Sequence, residues 1–312
     1  MREFSPLSVS DRSSVLPFLK NANKQGSEFS FTALYMWAGI YNTTHSVVPS
    51  TSGPLLIFRS CKEESEPYTY LYPLTENGKE VTARETVQTI SDLAPGEPFS
   101  LWSISEQQSN ELLKAFPGQF DIRPIRSSFD YLYPASQLVQ LGGKKLQPKR
   151  NLISGFKRLY PDFRTEIITP ENIAECLKMN DEWCVMMGCR HNASLSEEKC
   201  AVHRAFQHFQ ELELEGLILR TEGRIIAFTV GEPLSNDTYI VHIEKAFPEY
   251  KGAYQAINQL FAEHIQEKHP DLIYINREDD AGDEGLRKAK LSYQPVYLVE
   301  KYAGLFSPQA RP

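Results

Sequence analysis

The chain has 312 residues, 41% of them hydrophobic, and a formal charge of −7 from 33 basic and 40 acidic side chains. That is enough apolar material for a core and more chain than one compact α/β domain usually holds, so two domains of about 150 residues are expected. The acidic balance excludes a surface that grips nucleic acid or anionic lipid all over, no apolar run approaches the roughly 20 residues of a membrane span, and MREFSPLSVSDRSS lacks the apolar centre of a secretion signal, so a soluble, cytoplasmic chain is expected.

The first half opens with an aromatic helix, FSFTALYMWAGIY, in which Phe31, Leu34, Tyr35 and Ala38 recur at helical spacing and read as core. Two strands follow, PLLIFRS and YTYLYPL, with the polar CKEESEP as a hairpin connection. A helix over about Lys79 to Leu93, a strand FSLWSIS, a helix EQQSNELLKAF and an extended FDIRPIRSSFDYLY complete a mixed α and β half. LGGKKLQPKR then breaks the pattern with two glycines and a proline, which puts a boundary near Gly143 and divides the chain into 1–142 and 143–312.

The second half begins with the amphipathic NLISGFKRLYPDF and continues with helices in ENIAECLKMNDEWCVMM and SEEKCAVHRAFQHFQEL. A hairpin, LEGLILRTEGRIIAFTVGEPL, turns at Glu222-Gly223, where glycine supplies the positive backbone angle of a tight turn. Then come a strand DTYIVHIEKAF, a helix GAYQAINQLFAEHIQEKH, a strand DLIYINRE, a helix, and a last strand QPVYLVEKY. Alternation places Tyr239, Val241 and Ile243 on one face of their strand and Ile240, His242 and Glu244 on the other.

The five cysteines, Cys61, Cys176, Cys184, Cys189 and Cys200, are odd in number and contain no CxxC pair, which suits a reducing compartment better than a disulfide scaffold. Cys184, Cys189, His191, Cys200 and His203 lie close together, but structural zinc prefers two short-spaced ligand pairs and only Cys200 with His203 supplies one, so no metal site is expected.

The order of helix pair, hairpin, strand, helix, strand, helix, strand resembles the GNAT acyltransferase fold. In that family the loop before the helix GAYQAINQ holds a phosphate on backbone N–H groups, and the resemblance assigns this place to Lys251, Gly252 and Ala253. The loop reads EYKGAY, so Glu249 stands where the family has a cation or amide and Tyr254 where it has a small residue; both speak against ordinary acetyl-CoA binding. The segments KRLYPDF, VHIEKA, GAYQAINQ, YINREDD and GLRKAKLSYQP are also similar to those of an uncharacterised bacterial family whose second half resembles the C-terminal domain of phosphatidylglycerol lysyltransferases. That resemblance implies an α/β protein of two tandem GNAT-like domains, related to enzymes that use aminoacyl-tRNA as the acyl donor. Three readings stay open: an acyltransferase acting on an amine or hydroxyl, such as a lipid headgroup; a non-catalytic module binding a ligand or tRNA; and an acetyl-CoA enzyme.

The resemblance also places a proton acceptor on the strand VHIEKA, where Glu244 and His242 are the candidates. NREDD, Asn276 to Asp280, follows the end of an apolar strand, where α/β sheets leave a crevice for ligands, and Asn276, Arg277, Glu278, Asp279 and Asp280 are the candidate substrate-binding residues. Arg277 is the candidate anchor for an anionic donor, with Lys245 and Lys251 in support, and the acidic run attracts a cationic acceptor. On this reading, replacing Arg277 by alanine removes ligand binding and leaves thermal stability nearly unchanged. Asp283 and Glu284 open a helix whose dipole they complement, with Arg287 and Lys288 as pairing partners and Leu286, Ala289 and Tyr293 as its apolar face. Lys144, Lys145, Lys149, Arg150, Lys157 and Arg158 form a basic run that either contacts tRNA phosphates or is a solvated linker.

Overall fold

A computed structural model describes residues 4–63 and 66–308; part of the CKEESEP connection lies outside the described residues. Contacts divide the chain into two compact units, Met1–Asp130 with Val299–Pro312, and Tyr131–Leu298. The boundary expected near Gly143 thus falls at Tyr131, and the C-terminal strand belongs with the first unit.

The first unit runs β1 (Ser5–Pro6), α1 (Arg12–Ala22), α2 (Phe31–Tyr41), β2 (Thr44–Ser50), β3 (Gly53–Ser60), β4 (Thr69–Leu71), β5 (Leu74–Thr75), α3 (Ala83–Leu93), β6 (Phe99–Ile104), α4 (Glu106–Ala115) and β7 (Phe120–Pro124). Each of the two later helices starts where a hydroxyl can cap it: Thr82 Oγ1 accepts from Glu85 N, and Ser105 exchanges hydrogen bonds with Gln108 in a capping box. Their apolar stripes, Val87 and Ile90 on α3 and Leu112 on α4, pack on Leu55, Ile57, Leu101 and Phe306 in one core.

The second unit continues with β8 (Asp130–Pro134), α5 (Ala135–Gln140), α6 (Gln147–Leu159), β9 (Arg164–Ile167), α7 (Ile173–Met186), α8 (Ala193–Gln207), β10 (Glu215–Thr221), β11 (Arg224–Pro233), β12 (Thr238–Ala246), α9 (Ala253–Lys268), β13 (Tyr274–Asn276), α10 (Glu284–Leu291) and β14 (Tyr297–Val299). Its strands order as β14-β8-β13-β12-β11-β10-β9. The β10–β11 turn has positive φ at both Glu222 and Gly223, as a two-residue hairpin requires. β12 and β13 are parallel and α9 crosses over between them, so Ala253, Ala256, Ile257, Phe261 and Ile265 cover one face of the sheet with Tyr239, Val241 and Ala246 beneath. On the other side Phe206 of α8 meets Phe228 of β11 edge-on.

β15 (Tyr302–Phe306) closes the chain between β6 and β7 of the first unit, antiparallel to both. The single last strand expected over QPVYLVEKY is therefore two, β14 in the sheet of the second unit and β15 in that of the first. Likewise the extended FDIRPIRSSFDYLY splits, β7 staying in the first sheet and β8 pairing with β13. Among the described residues no helix is long and apolar enough to cross a membrane.

Candidate active site

A β-bulge decides which way the central strand points its side chains. Val230 of β11 faces Ile243 of β12, but the next residue, Gly231, faces Val241, so His242 is the extra residue that the ladder skips. The bulge needs glycine opposite it, because a Cβ on Gly231 would collide with Ile240 O and lie 2.6 Å from Tyr239 Cε1. Its effect is to restart the alternation. Tyr239, Val241 and Ala246 all pack toward α9, and Glu244 joins them by accepting from Asn258 Nδ2 of that helix (3.0 Å). Lys245 goes the other way. The uniform alternation expected along this strand therefore holds only up to Val241.

Beyond the bulge, β12 and β13 part. Their parallel pairing runs only from Thr238↔Tyr274 to Ile240↔Asn276, while β12 continues to Ala246. Arg277, the first residue past β13, reaches across this opening, and its Nη2 donates to Glu244 Oε1 at 2.7 Å. Tyr293 and Tyr133 lie against the guanidinium carbon, with centroids at 4.9 and 5.8 Å. Burial disfavours the guanidinium charge, and Glu244 more than compensates, holding the arginine protonated. Burial carries the Tyr293 hydroxyl above its ordinary range. Among the described residues two polar atoms of this cluster are buried without a hydrogen-bond partner, Arg277 Nη1 and Asn258 Oδ1, on the two side chains that hold the Glu244 carboxylate. Lys149 of α6 stacks on Tyr293 (4.3 Å to the centroid), and burial together with the neighbouring Arg277 charge lowers its ammonium below the usual lysine range.

His242 sits behind this pair with only 1% of its side chain exposed, its Nδ1 2.7 Å from Glu278 and its Nε2 3.3 Å from Glu232. Burial alone would depress the imidazole, but hydrogen bonds to Glu232 and Glu278 outweigh it and raise it to about 9. At neutral pH the ring is an imidazolium donating from both nitrogens. It is a clamp between strand and loop, not a free base.

The rest of NREDD is absorbed in the loop's own architecture. Asn276 is buried and accepts from Glu278 N (2.7 Å), and Asp279 accepts from Ala281 N (3.0 Å), two Asx turns that carry the chain through positive φ at Glu278 and Ala281. Asp280 is fully buried, with Tyr131 OH at 2.6 Å and a two-pronged contact from Arg287 at 2.8 and 2.9 Å. Desolvation works against its charge, yet Arg287 and Tyr131 win and lower it to about 2. Arg287 thus serves Asp280 rather than the acids of its own first turn, where Asp283 caps α10 by accepting from Leu286 N. The apolar face expected on α10 holds only at Tyr293, which is buried in the core; Leu286 and Ala289 are exposed, and Lys290 is buried with its Nζ on the carbonyls of Arg277 and Asp279. The acidic run consequently offers no open carboxylate cluster.

Of the loop preceding α9, Lys251 and Glu249 are exposed, while Gly252 and Ala253 are buried. Gly252 has φ +90, and a Cβ there would lie 2.5 Å from Leu152 O, so the α6 backbone closes on this glycine. Tyr254 turns inward, where its hydroxyl accepts from Trp183 Nε1 (3.1 Å). Lys245, expected to help hold a donor, is buried over the Trp183 ring with Nζ 2.6 Å from Glu198. In the basic run Lys144, Lys145, Lys157 and Arg158 are exposed, whereas Arg150 donates to the carbonyls of Leu141 and Gly143 and caps the preceding turn. Cys184 and Cys189, expected as free thiols, are joined in a disulfide with Cα atoms 5.3 Å apart. Among the described residues no group of three His, Cys, Asp or Glu side chains is placed to hold a metal.

Two mixed sheets, each with its own helices, and a parallel strand pair that splays past a bulge define a tandem GNAT-like fold. A tandem GNAT protein from the clavulanic acid biosynthesis pathway superposes over the whole of both chains at a TM-score of 0.55 and 10% identity. The profile of the family described as phosphatidylglycerol lysyltransferase, C-terminal, matches residues 19–304, and the chain belongs to that family. A conserved protein of unknown function from Bacteroides thetaiotaomicron is 35% identical, covering 98% of this chain and 100% of its own, with a TM-score of 0.88. The structure of L-PGS from Bacillus licheniformis is similar at 14% identity and a TM-score of 0.62, over 97% and 94% of the two chains. An uncharacterised protein of Mycoplasmoides gallisepticum is 28% identical over 189 residues, which are 59% of this chain and 58% of that protein, so the match spans little more than half of that relative.

Proposed function

We propose that this protein transfers an aminoacyl group from an aminoacyl-tRNA to an amine or hydroxyl acceptor, with the second unit carrying the reaction. The observation that supports this is the Glu244–Arg277 pair held in the opening between β12 and β13, with one guanidinium nitrogen buried and unbonded beside it. In this reading the acceptor nitrogen or oxygen attacks the acyl carbonyl. Its bond to the acyl carbon forms, the ester bond to the ribose breaks, and Glu244 takes the acceptor's proton and returns it to the departing ribose oxygen. Arg277 Nη1 donates to the carbonyl oxygen as charge builds there, and Arg277 Nη2 fixes the Glu244 carboxylate. The exposed Lys144, Lys145, Lys157 and Arg158 give tRNA phosphates their counter-charges. Membership in the family favours a phospholipid headgroup as acceptor.

The test is transfer of radiolabel from a complete set of charged tRNAs to phosphatidylglycerol vesicles and, separately, to soluble amines. Label should move with the wild type, and Glu244→Gln should slow it by about 100-fold, within the range for losing a general base. No transfer above the protein-free control from any charged tRNA, or a Glu244→Gln variant as fast as wild type, rules the assignment out.

A further inference from the structure

The first unit holds a cleft of about 1070 Å3 that the aminoacyl-transfer reading leaves unused. It opens between α3 and the β2–β3 hairpin, with Val48, Val87 and Phe306 of the core as its apolar wall. Arg59 of β3 lines the same cleft. The guanidinium is clamped between two rings, its carbon 3.8 Å from the centroid of Phe4 and 4.1 Å from that of Tyr68, and its Nε donates to Thr44 Oγ1 at 3.4 Å. Two aromatic faces set the plane of the group, and the buried Tyr70 hydroxyl lies beside it, so a ligand in the cleft would share the Nη edge with that phenol. Among the described residues no carboxylate pairs with it.

The acids of the cleft are engaged with donors of their own. Glu85 accepts from Thr51 Oγ1 (2.9 Å), Ser52 N (3.0 Å) and Ser52 Oγ (2.6 Å), which ties α3 to the hairpin turn. Asp92 accepts from Gln88 Nε2 at 2.7 Å. With the exposed Arg84 the lining holds two arginines and two acids, so it has no formal charge of its own, and one added negative charge is easier to seat there than two. Val48 faces Leu55, four residues along β3 from Arg59, which sets the apolar wall about 13 Å from the cation at ~3.3 Å per residue.

We propose that this cleft binds a small amphiphilic carboxylate, its two oxygens on the Nη edge of Arg59 and its apolar body along Val48, Val87 and Phe306. A guanidinium edge matches a planar carboxylate with two parallel hydrogen bonds. The cleft is at the upper end of the size range of ligand sites, and it joins an apolar patch to polar groups that include the clamped Arg59 and the exposed Arg84. A phosphate monoester brings a second charge against Glu85 and Asp92. A neutral amide gives the guanidinium one acceptor in place of two.

Calorimetry on the full chain with octanoate, octanamide and octyl phosphate tests this. Octanoate should bind saturably, and octanamide and octyl phosphate should each be weaker by about tenfold, or ~1.4 kcal/mol. Arg59→Gln should cost octanoate a similar factor. Ser91→Trp, at a half-buried position on the cleft wall, should block octanoate while leaving the melting temperature near wild type, so it decides the matter if Arg59→Gln does not fold. No saturable octanoate binding, equal affinity in the folded variants, or tighter binding of octyl phosphate than of octanoate overturns the proposal.

Discussion

Glu244 and Arg277 are each only 12% exposed, and a buried pair of this kind costs most when one member is lost, because the survivor keeps its charge without its partner. Arg277→Ala is therefore expected to destabilise the protein by about 3–5 kcal/mol in urea unfolding, contrary to the nearly neutral effect that a simple ligand anchor implies. Adding Glu244→Gln to that variant should restore part of the loss, since it removes the stranded charge; an Arg277→Ala protein that unfolds with the wild type shows the pair to be dispensable. His242 gives a pH signature. Its folded value is raised, from 6.5 to about 9, so its contribution is complete below about 6.5 and is lost as pH climbs through 9, a decline of no more than about 3 kcal/mol. Wild-type stability should fall across that window more than that of His242→Gln, and parallel profiles refute the clamp. Glu244, Arg277 and His242 stood out in the sequence because charged groups beside an apolar strand are conspicuous. Their partners did not: Glu232, Asn258, Tyr133 and Tyr293 come from β11, α9, β8 and the turn after α10, and only folding brings them together. Arg277 being paired to Glu244, and so partly spent, was equally hidden.

Strands and helices with a regular period could be read from the chain: α4 and α9 fall where their apolar spacing puts them, while α3 begins at Ala83, past the expected Lys79, where Thr82 caps it. The bulge at His242 could not, because one inserted residue flips every later side chain without changing the composition of the strand. The glycine in TVGEP was its one visible trace, since glycine inside a strand marks a bulge or a close approach. Gly231→Ala should thus cost at least about 2 kcal/mol in chemical denaturation, through the collision with Ile240 O, and a smaller change means that the strand pair can relax around a methyl group. The start of α9 bears on the donor. Helix α6 closes on Gly252, and Glu249 adds an exposed carboxylate to a loop that would have to face a pyrophosphate. Acetyl-CoA should accordingly show no binding by calorimetry below millimolar concentrations; low micromolar affinity would restore the acetyl-CoA reading.

At the scale of the whole chain, the division into units turns on a strand that returns to where the chain began. The two-domain count followed from length and from the resemblance to tandem GNAT-like proteins, but the boundary did not. Glycines and a proline near Gly143 mark a local loop, whereas membership of a unit is set by pairing across more than a hundred residues. β15 lies between β6 and β7, so it supplies the ladder partner of both. Just before it, Lys301 is buried against Glu28 and Asp130, at 2.8 and 2.9 Å, and donates to Ser27 Oγ at 2.8 Å. Burial opposes the Lys301 charge, and the two carboxylates reverse that and raise it above the usual lysine range, while burial raises Glu28. Phe306 then fills the first core between Phe99 and Phe120, at ring separations of 4.8 and 5.0 Å. Ending the chain at Val299 removes the cation, the strand and this aromatic contact at once, and leaves two strand edges open and two buried acids without their cation. No strand of the second sheet comes from residues after Val299, so that sheet loses none of its own pairing. Hydrogen exchange should therefore show β6 and β7 losing protection in the truncated chain, with β11 and β12 as protected as before. Unchanged protection in β6 and β7 would mean that the first unit holds without its C-terminal strand, and a loss spread equally over β11 and β12 would mean that the two units do not fold as separate bodies.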